Sequence, residues 1–240
     1  RKECYIREFS IEHFHDSKVF ETLIPKICKI FREENEELTG FENEEILAEY
    51  QIYKTPGYVY MKGNVQIYSA GKQAADISAF PEGIAVAVGS EEDVPDICPD
   101  QTIDKVFTIE NLTSFYRFKQ EHSLVIYLGG YHNRSRRNLL MQIYQKLPDA
   151  QYYHFGDLDA GGFYILEHLK RKTGIPFQMF QMDIETLKKY EDYAKPLTEN
   201  DKKRLMQLEK MELPDEERKL ITYMLQKGIK LEQECISESQ

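Results

Sequence analysis

The segment QYYHFGDLDAGGFYILEHLK, residues 151–170, decides the fold. Its first five residues predict a short buried strand, and apolar side chains at helical spacing predict a helix over residues 161–172. A strand followed at once by a helix is the repeating unit of a parallel sheet. Between the two lie Gly156, Asp157 and Asp159, so the segment also places two carboxylates at the end of a strand.

The same alternation continues on both sides of this segment. KVFTI, SLVIYL and FQMFQM predict further strands, and amphipathic stretches between them predict helices. The predicted strands are residues 105–109, 123–128, 151–155 and 177–182, and the predicted helices are residues 112–119, 134–147 and 161–172. This rhythm predicts an α/β fold with a mostly parallel sheet flanked by helices, followed by a charged helical extension.

A different pattern precedes it. Apolar positions at helical spacing predict a helix over residues 17–31, and Gly63 and Asn64 separate two β-rich runs, which predicts a hairpin. Helix, helix and hairpin form the outline of a winged helix. After the stretch DVPDICPD the pattern changes, so we predict a winged-helix-like α+β domain over residues 1–103 and the α/β domain over residues 104–240.

Composition excludes several classes of protein. A formal net charge of −10 over 240 residues argues against a general binder of polyanions. The apolar runs are too short to cross a bilayer, RKECYIREFS holds no signal-peptide core, and four scattered cysteines predict reduced thiols. We therefore expect a cytoplasmic protein without membrane contact. Because the sequence begins with Arg1, we expect it to be part of a longer chain.

Three carboxylates follow predicted strands. Glu110 comes directly after the first strand, and Asp157 and Asp159 follow the third. Ligands of open parallel sheets bind beyond the carboxyl ends of the strands, so these acids are expected at one edge. Crowded like charges favour a cation, and hard oxygen donors suit Mg²⁺ or Mn²⁺. The alternative is that each acid caps the helix that follows it.

A basic segment lies between the second and third strands. Residues 129–148 hold four basic side chains and no acid: Arg134, Arg136, Arg137 and Lys146. Arginine can grip a phosphate with two parallel hydrogen bonds, and a helix N-terminus also favours anions. His132 could hold a phosphate or stabilise a leaving group, or it could be merely exposed. The segment therefore predicts contacts with a phosphodiester, although a helix with a basic outer face is the alternative.

An acid after the first strand, a glycine after the second and Asp-x-Asp after the third resemble the Toprim domain of topoisomerases, bacterial primases and several nucleases. The blocks FTIENLTSF, VIYLGGYHN, YYHFGDLDAGGFYILEHL, KPLTENDKKRL and KLEQECI are similar, in this order, to the C-terminal half of the JetD family. Members of that family are nuclease subunits of Wadjet plasmid-defence systems and relatives of the topoisomerase VI A subunit. The resemblance covers residues 104–240 strongly, and REFSIEHFHDSKVFE resembles the region before Toprim.

The resemblance also implies roles for individual residues. Three acids would bind Mg²⁺ or Mn²⁺ and carry catalysis: Glu110, Asp157 and Asp159. Gly130 would let its loop approach the site. The DNA phosphates would be bound by this loop and by the helix after it, through Gly130, His132, Arg134, Arg136 and Arg137. Glu232 and Glu234 match a family block and could add carboxylates to the site or cap a helix.

The implied activity is metal-dependent cleavage of double-stranded DNA. The implied partners are the DNA, the SMC-like condensin subunits of a JetABC-type complex, and a second copy of the chain in a homodimer. Two alternatives stay open: tyrosine-mediated strand cleavage, as in the topoisomerase VI A subunit, and a catalytically inactive Toprim module that serves assembly. Phosphatase chemistry of the haloacid-dehalogenase type fits less well, because Gly161 stands where that class has a threonine.

Overall fold

A computed structural model describes residues 4–35, 38, 41–54, 57–88, 95–129 and 134–236, without the side chains of Val88, Arg134 and Ser135. The helices are α1 Ile6–Phe14, α2 Val19–Glu34, α3 Asn43–Glu49, α4 Leu112–Arg117, α5 Arg134–Lys146, α6 Ala160–Thr173, α7 Ile184–Lys189, α8 Glu199–Leu208 and α9 Asp215–Lys227. The strands are β1 Cys4–Tyr5, β2 Ile52–Tyr53, β3 Gly57–Lys62, β4 Val65–Ser69, β5 Lys72–Asp76, β6 Ile84–Val88, β7 Asp96–Pro99, β8 Lys105–Ile109, β9 Ser123–Tyr127, β10 Gln151–Phe155, β11 Gln178–Met179, β12 Lys195–Pro196 and β13 Ile229–Lys230.

The centre of the fold is a six-stranded sheet in the order β11-β10-β8-β9-β3-β6. The first four strands run parallel, and β3 is antiparallel to both of its neighbours, β9 and β6. The predicted α/β fold with a mostly parallel sheet is confirmed. Ile109 lies opposite both Phe155 and Tyr127, so β8, β9 and β10 end at the same level. The residues after these strands therefore share one edge of the sheet.

Both faces of the sheet are covered. Alternate residues of a strand point to opposite faces, and strands buried on both sides are consequently apolar throughout. Val106 and Leu124 belong to an apolar cluster with α2, α3, α5 and α6. Phe107 and Val125, their neighbours in sequence, belong to a second cluster with α4, α7, α8 and α9. This burial on two sides explains the short continuous apolar runs of the sequence.

The predicted hairpin at Gly63 and Asn64 is wrong. Strands β3 and β4 flank these residues, but β4 pairs with β5 and β7 in a separate three-stranded sheet. Strand β3 pairs instead with β9, where Met61 lies opposite Ile126. The chain therefore passes from one sheet to another at Gly63, because the two partners of β3 are β6 and β9 rather than the strand that follows it.

The central sheet also crosses the predicted domain boundary. Strands β3 and β6 precede residue 103, and β9 follows it. One apolar cluster likewise contains Phe20, Met61 and Leu124. The division into residues 1–103 and 104–240 stays a prediction, and the structure shows that sheet and core are continuous across it.

The end of the described chain returns to the sheet edge. After α9, strand β13 pairs with β12, and Leu231 then forms two backbone hydrogen bonds with Leu158, of 2.9 and 3.1 Å. Residues 231–236 are thereby brought beside the residues that follow β10. Within the described ranges, no helix combines the length and the apolar character needed to span a membrane.

A side chain at Gly63 should destabilise the protein more than a side chain at Gly71. Both have a positive φ, of 139° and 73°, but an added Cβ at Gly63 would lie 2.6 Å from the Ser123 carbonyl oxygen, and one at Gly71 would meet nothing within 4 Å. We expect Gly63→Ala to lower the free energy of unfolding by about 2–4 kcal/mol and Gly71→Ala by about 1 kcal/mol. Urea denaturation of the two variants measures this, and equal losses would contradict the close approach of Gly63 to β9.

Candidate active site

Glu110 is placed by the end of β8. Its backbone N–H donates to the carbonyl oxygen of Phe155 at 3.0 Å, which continues the pairing of β8 with β10 by one residue. Its carboxylate atom Oε2 accepts a hydrogen bond of 3.3 Å from the backbone N–H of Asp157. The structure therefore brings Glu110 and Asp157 together at the sheet edge.

Asp157 is oriented by the C-terminal segment. Its Oδ1 atom accepts a hydrogen bond of 2.7 Å from the backbone N–H of Gln233. The next residue, Leu158, makes the two backbone hydrogen bonds to Leu231. Asp157 is thus held from the far end of the chain as well as by its own strand.

Asp159 caps helix α6. Its Oδ1 atom accepts a hydrogen bond of 2.9 Å from the backbone N–H of Gly162, which satisfies one of the unpaired donors at the helix start. The alternative that each acid caps the helix after it therefore holds for Asp159. Its negative charge also raises the pKa of both Glu110 and Asp157, so Asp159 belongs to the same cluster.

Two glycines permit this crowding. A Cβ on Gly162 would lie 2.2 Å from the carbonyl oxygen of Asp157. A Cβ on Gly156 would lie 2.7 Å from Glu110 Oε2 and 2.9 Å from Nε2 of His154. His154 is fully buried on β10, with its Nδ1 3.0 Å from the hydroxyl of Thr108. Larger residues at either glycine would push the loop away from the carboxylates.

The electrostatics of the site favour protons or cations. Burial, followed by the charges of Asp157 and Asp159, raises the pKa of Glu110 to about 8. Burial also raises the pKa of Asp157 to about 6, with the charges of Asp159 and Glu234 adding to it and the hydrogen bond from Gln233 opposing it. Glu110 therefore carries a proton at neutral pH when nothing else neutralises the cluster.

The LEQE block contributes to the surroundings of this cluster. Glu234 accepts a hydrogen bond of 2.5 Å from Nδ2 of Asn111, the residue next to Glu110. Glu232 pairs with Lys195 at 2.5 Å and is about half exposed. Gln233 lies between them and is fully buried. The sequence drew attention to the two glutamates of this block and gave no signal for the glutamine.

The basic segment is only partly described. Gly130 and His132 lie outside the described residues, as does the side chain of Arg134. Arg136 donates to the carbonyl oxygen of Leu128 at 2.6 Å. Arg137 pairs with Glu49 at 2.7 Å, and their side chains are 12% and 21% exposed. Lys146 pairs with Asp96. These contacts fix α5 to the rest of the protein, and the phosphate-binding role of the segment stays a prediction.

The carboxylates that the structure describes at the candidate site are not already arranged around one metal position. Among the residues that the structure describes, no group of three or more His, Cys, Asp or Glu side chains is already arranged to hold one ion. The donors nevertheless fit a hard divalent cation, because they are carboxylate oxygens crowded in a partly buried position.

The raised pKa of Glu110 predicts a dependence of stability on pH. In the unfolded chain this carboxyl ionises near its ordinary value of 4.5, and in the folded protein near about 8. The folded state binds the proton more tightly, so it loses stability relative to the unfolded state as the pH rises through that interval. In a chelating buffer, Glu110→Gln should therefore be increasingly more stable than the wild type from about pH 4.5 to about pH 8.

Chemical denaturation at a series of pH values measures this difference. Glu121→Gln, which removes the same charge from an exposed position, is the control for net charge. A difference between Glu110→Gln and wild type that does not change with pH would show that Glu110 is not held in its protonated form.

Comparison with known proteins places the chain in a family. The family model described as "Wadjet protein JetD, C-terminal" matches residues 92–240. Wadjet protein JetD of Bacillus cereus (strain Q1) is 30% identical over 235 residues, which make up 96% of this chain and 56% of that protein. The chain thus spans little more than half the length of this relative. Because the family model matches residues 92–240, more than half of the chain, the chain belongs to the JetD family of Wadjet proteins.

Proposed function

We propose that this chain carries the catalytic site of a metal-dependent endonuclease that hydrolyses phosphodiester bonds of double-stranded DNA in Wadjet-type defence against plasmids. The observation that carries the proposal is the crowding of Glu110 and Asp157 at the carboxyl edge of a parallel sheet. Membership of the JetD family supports the biological setting. A Toprim-type site is the interpretation that agrees with both.

The metal would be held by Glu110, Asp157 and Asp159. Burial and mutual repulsion raise the pKa of Glu110 and Asp157. A divalent cation would neutralise the negative charge that a proton on Glu110 otherwise neutralises in the folded chain. Bound Mg²⁺ or Mn²⁺ would supply positive charge to the scissile phosphate and to the leaving oxygen. The protein's part is to keep these carboxylate oxygens on one side of the sheet edge.

The three acids are suited to different tasks. The pKa of about 8 belongs to the metal-free protein, in which Glu110 holds a proton; a bound cation would lower that pKa and leave a carboxylate that can accept a proton. Asp157 is oriented by the N–H of Gln233 and therefore serves as a fixed ligand. Asp159 uses Oδ1 to cap α6, and its charge adds to the effect of burial on the pKa of Glu110 and Asp157. We assign proton transfer to Glu110 and metal binding to all three.

The net charge of −10 suggests that the chain relies on partners to bring DNA to the site. We infer that SMC-like condensin subunits of a JetABC-type complex deliver the DNA in the cytoplasm. Gly130, His132 and Arg134 would then contact the phosphates next to the cut, because Arg136 and Arg137 are held by Leu128 and Glu49. A homodimer would present two sites to the two strands of the duplex.

An inactive assembly module is the second candidate. It is favoured by the capping role of Asp159 and by the absence, among the described side chains, of a set already arranged for an ion. Tyrosine-mediated cleavage receives less support. Tyr127 lies at the end of β9, where the charge of Glu110 reaches it, and burial raises the pKa of its hydroxyl, which disfavours this one tyrosine as a nucleophile.

Plasmid cleavage with two aspartate variants tests the proposal. The intact protein, with its partner complex, is incubated with closed circular and linear plasmid in Mg²⁺ or Mn²⁺. We expect Asp157→Ala to lower the cleavage rate by about 10³-fold or more, because it removes a metal ligand. Asp149→Ala changes an exposed aspartate just before the opposite end of the same strand and should cut at the wild-type rate.

The result also separates the two candidate functions. Cleavage by Asp157→Ala at the wild-type rate would rule out the assigned site. A wild-type protein that neither cuts in the presence of the complex nor binds metal would establish the assembly module instead. A difference between circular and linear plasmid would show that the topology of the DNA is sensed.

A further inference from the structure

The side chain of Gln233 connects the ends of the two strands that carry the carboxylates. Its Nε2 atom donates to the carbonyl oxygen of Phe155 at 2.9 Å, at the end of β10. Its Oε1 atom accepts from the backbone N–H of Asn111 at 2.8 Å, just beyond β8. The amide therefore acts as an additional peptide group between the two strands, with one donor and one acceptor in use.

The backbone of Gln233 contacts a carboxylate directly. Its N–H donates to Asp157 Oδ1 at 2.7 Å. On the other side, the amide holds Asn111, the residue next to Glu110. One residue thus contacts both loops of the candidate site and adds its hydrogen bonds to the pairing of β8 with β10.

The position of Gln233 is fixed on both sides. Two residues before it, Leu231 makes a pair of backbone hydrogen bonds to Leu158. One residue after it, Glu234 binds the side chain of Asn111. Gln233 itself has no exposed surface. These anchors leave its amide little freedom to move away from the strand ends.

The side-chain amide of Gln233 satisfies both partners, and neither of its closest isosteres does. A glutamate could accept from Asn111 but could not donate to Phe155 at neutral pH, and it would add a negative charge beside Asp157. A methionine has nearly the same shape but neither function. The residue type is therefore set by the two hydrogen bonds rather than by packing alone.

We propose that Gln233 is a positioning residue, which holds Glu110 and Asp157 at the separation at which both can bind one divalent cation. The inference rests on the proposed metal-dependent function and adds a residue of the C-terminal segment to it. Such outer residues orient the ligands of metal sites, and their loss costs roughly 10–100-fold in metal affinity.

A second glutamine provides a matched control. Gln142 on α5 accepts a hydrogen bond of 2.8 Å from the backbone N–H of Ile97 and so also ties two elements together. Its bond connects α5 to β7 rather than the strand ends at the carboxylates. Gln142→Met therefore removes a similar structural contact without touching the proposed ligands.

In the experiment, the wild type, Gln233→Met and Gln142→Met are each titrated with Mn²⁺. Binding is monitored by calorimetry or by the electron paramagnetic resonance signal of the free ion. The far-ultraviolet circular dichroism of each variant shows that it is folded at the temperature used. We expect Gln233→Met to bind Mn²⁺ about 10–100-fold more weakly than the wild type, and Gln142→Met to bind it equally well.

The outcomes separate this inference from the proposed function. Wild-type affinity in Gln233→Met, together with clear binding by the wild type, would overturn the positioning role and leave the metal site standing. A wild type that does not bind Mn²⁺ would overturn both. If Gln233→Met does not fold, Gln233→Asn keeps the amide on a shorter arm, and wild-type affinity in that variant would equally refute the inference.

Discussion

The burial of mutually repelling carboxylates at the ends of β8 and β10 is the constraint on which the rest of the site depends. The parallel sheet places Glu110 and Asp157 side by side, because Ile109 and Phe155 lie opposite each other in the register. Burial disfavours the charged form of Glu110, and the charges of Asp157 and Asp159 add to this effect, so the pKa of Glu110 rises to about 8. A chain that keeps this arrangement must neutralise the buried charge; a proton on Glu110 does so at neutral pH, and in the proposed function a divalent cation replaces that proton.

Several distant parts of the chain serve that arrangement. Gly156 and Gly162 give the loop after β10 the space to approach Glu110, and α6 begins on the carboxylate of Asp159. The C-terminal segment then closes the edge, with Gln233 between the two strand ends. The geometry of the site therefore depends on several elements of the α/β fold and not on the residues after β10 alone. These contacts also explain how the fold can keep these carboxylates together although their charges repel one another.

The sequence predicted the parts of the fold that depend on neighbours in the chain. Strands β8 and β10 begin and end at the predicted residues, and α5 and α6 agree within one residue, because apolar periodicity and glycine signals are local. The hairpin at Gly63 failed because β3 pairs with β6 and β9, both further along the chain than β4, as Met61 opposite Ile84 and Ile126 shows. Gln233 could not be recognised for the same reason. Its partner Asn111 is 122 positions away, and an isolated glutamine carries no pattern.

The most direct measurement is the number of protons released when Mn²⁺ binds at pH 7. Calorimetric titrations in buffers of different ionisation enthalpy give this number. Since Glu110 has a pKa of about 8 in the metal-free protein, the account predicts that binding releases about one proton per site, and that Glu110→Gln releases almost none. Binding of Mn²⁺ without proton release by the wild type would contradict the claim that the ion replaces a proton among these carboxylates.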